Sequence, residues 1–88
     1  MERKLLFAIY DKTTELYEAP FVDINRGTAL RRIQDLMNSH PDSPYSKFPH
    51  DFQLTVIGSW NEKVGHITTD DKPIIFQELE DLIVKKEK

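Results

Sequence analysis

The stretch Lys4 to Tyr10 is apolar on both of its alternating faces, with Leu5, Phe7 and Ile9 on one side and Leu6, Ala8 and Tyr10 on the other. A strand flanked by water would be polar on one side, so this pattern predicts a central strand. A polar turn over Asp11 to Thr14 follows. Leu16 to Ile24 then reads as a second extended stretch, and Pro20 within it predicts an edge position, because proline has no N–H for an inner ladder.

From Arg26 to Asn38 the period changes to that of a helix. Ala29, Leu30, Ile33, Leu36 and Met37 form one stripe, opposite Arg31, Gln34, Asp35 and Asn38. Asn25 is a suitable N-cap, with Thr28 a competitor. Residues 39–51 contain Pro41, Pro44 and Pro49, which predicts a long surface loop. Phe52 to Trp60 alternates as a strand, placing Phe52, Leu54, Val56 and Trp60 on one face and Gln53, Thr55, Ile57 and Ser59 on the other. A turn at Asn61 to Lys63 leads to a hairpin partner over Val64 to Thr69, where Gly65 suits a bulge or a close backbone approach.

The last segment, residues 70–88, reads as a variable C-terminal helix. Pro73 suits its first position, Ile75, Leu79, Leu82 and Ile83 share one face, and Lys85, Lys86 and Lys88 complement its negative end. The predicted fold is α+β: a small antiparallel sheet of about four strands with one central helix and a C-terminal helix, in β-β-α-β-β-α order. Its 88 residues predict a single domain, 1–88.

The composition sets limits on chemistry and location. Cysteine is absent, which excludes disulfides and thiolate catalysis and fits a reducing cytosol. The apolar run Leu5 to Tyr10 is too short for a signal-peptide core, and no membrane segment is expected. The net charge of −3 is unevenly spread: residues 1–50 carry seven basic and seven acidic side chains, and residues 51–88 carry five and eight. A strongly basic surface is therefore missing at the level of the whole chain, which weighs against high-affinity nonspecific binding to nucleic acid and leaves room for a local site.

No catalytic constellation stands out. His40, His50 and His66 lack a metal-ligand spacing, and the glycines form neither a P-loop nor a dinucleotide fingerprint. The carboxylates at Asp70, Asp71, Glu78, Glu80 and Asp81 fit a turn and a solvated face. No metal, cofactor or enzymatic activity is expected.

The remaining chemistry lies around the helix and the proline loop, where Arg26, Arg31, Arg32 and Lys47 occur with Tyr45 and Phe48. Cations for phosphate and aromatic faces for unpaired bases are what single-stranded nucleic acid requires. The plainer alternative pairs Arg31 with Asp35 and packs Phe21 and Phe48 beneath the loop. The apolar second face of the first strand also predicts a homo-oligomer.

An ordered set of residues carries a resemblance: Tyr10-Asp11, Tyr17, Pro20-Phe21, Ala29 with Arg31 and Asp35, Met37-Asn38, Ser46 to Phe52, Leu54, Ile57-Gly58, Trp60-Asn61 and Gly65. From about residue 4 to residue 66 the chain resembles the small nonstructural protein of gokushovirus-type microviruses, which are single-stranded DNA phages. Ile33 departs from that pattern, and the tail after Thr69 has no comparable signature. The resemblance implies a protein in the cytoplasm of the infected bacterial host and not in the mature virion, assisting single-stranded DNA genome synthesis or packaging. Its expected partners are single-stranded DNA and phage replication or scaffold proteins. The alternative is an adapter that engages the replication initiator, the scaffold or a host factor without touching DNA.

Overall fold

A computed structural model of the chain describes residues 3–83. Its centre is β1 (Arg3–Asp11), the doubly apolar strand, which pairs along both edges. One edge takes β2 (Leu16–Tyr17) and β3 (Phe21–Asp23), and the other takes β4 (Phe52–Asn61), which in turn pairs with β5 (His66–Glu78). All pairings are antiparallel. Between β3 and β4 lie α1 (Arg26–Ser39), the one-turn helix α2 (Pro44–Lys47) and a 3-10 turn at Pro49–Asp51. A second 3-10 turn, Leu79–Leu82, follows β5.

The fold is thus an antiparallel sheet with helices, α+β as its composition of elements predicts, in a different order. The stretch after β1 is an edge, as Pro20 requires, but it is two short strands. Tyr17 pairs with Tyr10 and Phe21 with Phe7, so four residues advance against three. The extra residue switches faces: Tyr17 packs on Tyr10, with ring centroids 4.7 Å apart, while Phe21 stacks on Phe7 on the opposite side at 5.6 Å. The proline segment is more ordered than a loop, because Ser43 caps α2 and the Ser46 hydroxyl donates within reach of Met37 O and His40 O, tying α2 to the end of α1.

The predicted C-terminal helix is corrected. Residues 70–78 continue β5, and only Leu79–Leu82 turns helically; Val84 to Lys88 lie outside the described residues. The run Pro73-Ile74-Ile75-Phe76 satisfies an i, i+4 stripe by coincidence, while its β-branched and aromatic residues favour a strand once β4 offers an open edge.

The core lies on one side of the sheet. Ala29, Ile33 and Met37 of α1 pack on Phe7, Ile9, Phe52, Leu54 and Val56, with Leu79 closing one end. Asn25 caps α1, and Thr28 is its partner in a capping box: Thr28 N–H donates to Asn25 Oδ1 at 2.9 Å and Asn25 N–H to Thr28 Oγ1 at 3.1 Å.

A register shift in β4 rearranges the opposite side. Phe7 pairs with Val56 but Leu6 pairs with Gly58, leaving Ile57 as an extra residue. Trp60, opposite Lys4, therefore stands on the outer face, away from α1, and not with Phe52, Leu54 and Val56 as strict alternation predicts. The close backbone approach also falls at Gly58, where a Cβ would sit 2.3 Å from Thr68 O, and not at Gly65. Gly65 instead supplies a left-handed turn residue, φ +68°, in the β4–β5 hairpin.

The two hairpin turns share one design. Asp11 and Asn61 each accept a bond from the backbone N–H two residues on, and the fifth residue of each turn, Glu15 or Gly65, has positive φ. Glu15 bears a left-handed penalty that glycine avoids. Glu15→Gly is expected to stabilise the fold by about 0.5–1 kcal/mol. Gly58→Ala is expected to cost about 3 kcal/mol through the clash with Thr68. Urea unfolding of both variants checks the two signs.

Candidate nucleic-acid interface

The turn from β3 into α1 fixes the basic side chains of the helix. Asp23 sits at the end of β3, and its carboxylate accepts from Ile24 N–H at 2.9 Å and from Arg32 Nε–H at 2.8 Å. Burial pushes the Asp23 carboxyl up, but hydrogen bonding from Thr28, Ile24 and Arg32, with the nearby guanidinium charge, outweighs it and holds the group below its ordinary 3.8. Arg32 also lies over the Phe21 ring at 5.7 Å. It is therefore held by the β3–α1 corner.

Tyr45 is committed too. Its ring meets Phe52 edge-on with centroids 4.9 Å apart, and its hydroxyl donates to Glu18 Oε1. Burial first, and then the Glu18 hydrogen bond and charge, push its pKa well above the ordinary tyrosine value. The ring is thus half-buried, fixed on the fold by Phe52 and Glu18 with its open side toward the cleft between α1 and the edge strands.

The other four predicted residues remain accessible. Arg26 at the start of α1, Arg31 in its middle and Lys47 on α2 are exposed and form no ion pair with a carboxylate among the described residues. The alternative pairing of Arg31 with Asp35 does not occur. Arg26 lies 5.2 Å over the Phe76 ring, a contact with the guanidinium face that leaves its edge donors available. Phe48 is 51% exposed beside Lys47, above a shallow hollow lined by Asp11, Thr13, Asp51 and Phe52.

Two further features lie outside the six predicted residues. The first is an open cleft of about 550 Å³ between α1 and the β2–β3 edge, with Ile9, Phe21, Ile33 and Leu36 as its apolar floor and Glu18, Asp35 and His40 at its rim. Glu18 and Asp35 are 17 residues apart, and only the kink at Ala19-Pro20 brings their elements together. The second is the outer sheet face, where the register places Tyr10, Tyr17 and Trp60. The doubled apolar pattern of β1 signals that face, while the register shift that sends Trp60 there leaves no mark in the pattern.

Among the described residues no group of three or more His, Asp or Glu side chains could hold a metal ion, and no helix is long and apolar enough to cross a membrane. The Phage ORF5 protein family matches residues 4–82. The chain belongs to this phage family. The match runs past Thr69, through β5 and into the turn that follows it, beyond the part of the chain that carries the sequence resemblance. No curated protein and no solved structure matches it.

The Asp23 corner gives a direct test. A carboxylate with a depressed folded pKa adds stability that is complete above its unfolded value and is lost as pH falls through the folded one. Wild-type stability should therefore fall as pH drops below about 4, and Asp23→Asn should be less stable at neutral pH with a shallower acid limb. Urea midpoints between pH 2.5 and 7 check this.

Proposed function

We propose that this phage family member is a non-catalytic accessory protein that assists single-stranded DNA genome synthesis or packaging in the cytoplasm of the infected host, outside the mature virion. It contacts single-stranded DNA weakly along the α1–α2 layer. The observation that carries this reading is the placement of Arg26, Arg31 and Lys47: all three are exposed, without carboxylate partners among the described residues, on the helical side of the sheet. The helix alone spans about 21 Å at 1.5 Å per residue, enough to spread these charges along several phosphates. Phe48, beside Lys47, is the aromatic surface available to an unpaired base. Resemblance to a nonstructural protein of single-stranded DNA phages supports the same role. Arg32 and Tyr45 serve the fold and leave the contact to the other four residues.

A second reading rests on the outer face of the sheet, where both lysines are neutralised. Lys4 pairs with Glu62 at 3.0 Å and Lys12 with Glu78 at 3.4 Å. An uncharged apolar face suits protein better than phosphate, and the acidic residues Asp70, Asp71, Glu80 and Asp81 suit a basic partner such as a replication initiator, scaffold or host factor.

Fluorescence anisotropy of a labelled single-stranded oligonucleotide separates the two. Three phosphate contacts predict a log-log salt slope of about −2, at about 0.7 per contact, and a dissociation constant of about 10⁻⁴ to 10⁻⁶ M. Arg31→Glu with Lys47→Glu should weaken binding at least tenfold. No binding at low salt, with protein capture from infected cells surviving nuclease, would leave the adapter.

A further inference from the structure

The cleft between α1 and the edge strands combines an apolar floor with an acidic rim. Ile9, Phe21, Ile33 and Leu36 form the floor, and the half-buried Tyr45 ring adds an aromatic wall. Its charged side chains are Glu18, Arg32 and Asp35, with His40 beside them. Arg32 is already countered by Asp23 at 2.8 Å. Glu18 accepts a hydrogen bond from the Tyr45 hydroxyl, a neutral donor that fixes the carboxylate without cancelling its charge. Asp35 is exposed and forms no ion pair among the described residues. Two uncompensated carboxylates therefore stand over an apolar hollow.

We propose that this cleft holds a segment of a partner protein in which one large apolar side chain is flanked by arginine or lysine. The size is adequate. The cleft measures about 550 Å³, within the range of about 300–1,000 Å³ typical of ligand sites. A single aromatic anchor buries about 150–250 Å² on such a floor. The anchor lies on Phe21, Ile33 and Leu36, while its basic neighbours meet Glu18 and Asp35 at the rim. An extended segment also has room, because β3 pairs with β1 alone and its other edge is free among the described residues. That edge presents backbone groups to a chain running beside it.

Charge selects a basic protein segment as the occupant. A DNA strand that put a base in the cleft would bring its phosphates against Glu18 and Asp35, and the guanidinium of Arg32 is already committed to Asp23. The proposal does not rest on the DNA contact, which uses Arg26, Arg31 and Lys47.

Titration of the full chain with a capped peptide, one phenylalanine flanked by two arginines, tests it by nuclear magnetic resonance up to about 2 mM peptide. The amide signals of Ala19, Leu36 and His40 should shift together, with a dissociation constant of about 10⁻⁴ to 10⁻³ M. Peptides with alanine for the phenylalanine, or glutamates for the arginines, should bind at least tenfold more weakly. Glu18→Gln with Asp35→Asn removes both charges and keeps an acceptor for the Tyr45 hydroxyl; it should weaken binding at least tenfold. Ala19→Phe fills the cleft from an exposed position and should do the same, with circular dichroism confirming that both variants fold. Arg31→Gln with Lys47→Gln should leave peptide binding unchanged. A wild type whose signals at these three residues stay still overturns the proposal, as does peptide binding that survives both cleft variants. Absent peptide binding, with oligonucleotide binding lost in Ala19→Phe, would overturn it and assign the cleft to DNA.

Discussion

The whole arrangement depends on β1 being apolar on both sides. In a chain of this size such a strand must pair along both edges and have both faces shielded, yet α1 is the one helix longer than a single turn among the described residues. It can cover one face. Phe7 and Ile9 meet α1 through Ala29, Ile33 and Met37, while Leu6 and Ala8 are shielded by their neighbours within a curled sheet. Each fully buried apolar side chain adds about 1.5–3 kcal/mol, so the helical face supplies most of the stability and the outer face a smaller, incomplete share.

Irregular register makes this two-sided use of the sheet workable. The extra residue between Tyr17 and Phe21 gives Tyr17 to the outer face and Phe21 to the core. The extra residue at Ile57 likewise leaves Val56 inside and sends Trp60 outside. Had both strands kept strict alternation, Trp60 would share the face already occupied by α1. These shifts also separate the chemistry: the unpaired cations of α1 and α2 lie on one side, and Tyr10, Tyr17 and Trp60 lie on the other. The aromatic residues of the outer face are thus kept apart from the cations, which meet only the inner-face rings Phe21 and Phe76 and the neighbouring Phe48.

Much of the fold was legible. The central position of β1, the edge role of the Pro20 segment, the helical stripe of α1 and its Asn25 cap all follow from local rules, and each is found in the structure. What was not legible came from tertiary choice. The pattern at Pro73 to Ile83 satisfies a helix and a strand equally, and the free edge of β4 decides it. The bulge at Ile57 has no signature of its own, although Gly58 beside it marks the point where Thr68 comes too close for a Cβ. Of the six proposed interface residues, Arg32 and Tyr45 are held by Asp23 and Glu18, partners contributed by the edge strand and the kink beside it. No spacing within α1 or the proline segment announces those partners.

Arg26, Arg31 and Lys47, on a chain of net charge −3, limit what the proposed DNA contact can be. They fit transient holding of a flexible single strand, whereas a tight coat on a genome would demand the basic surface that this sequence lacks.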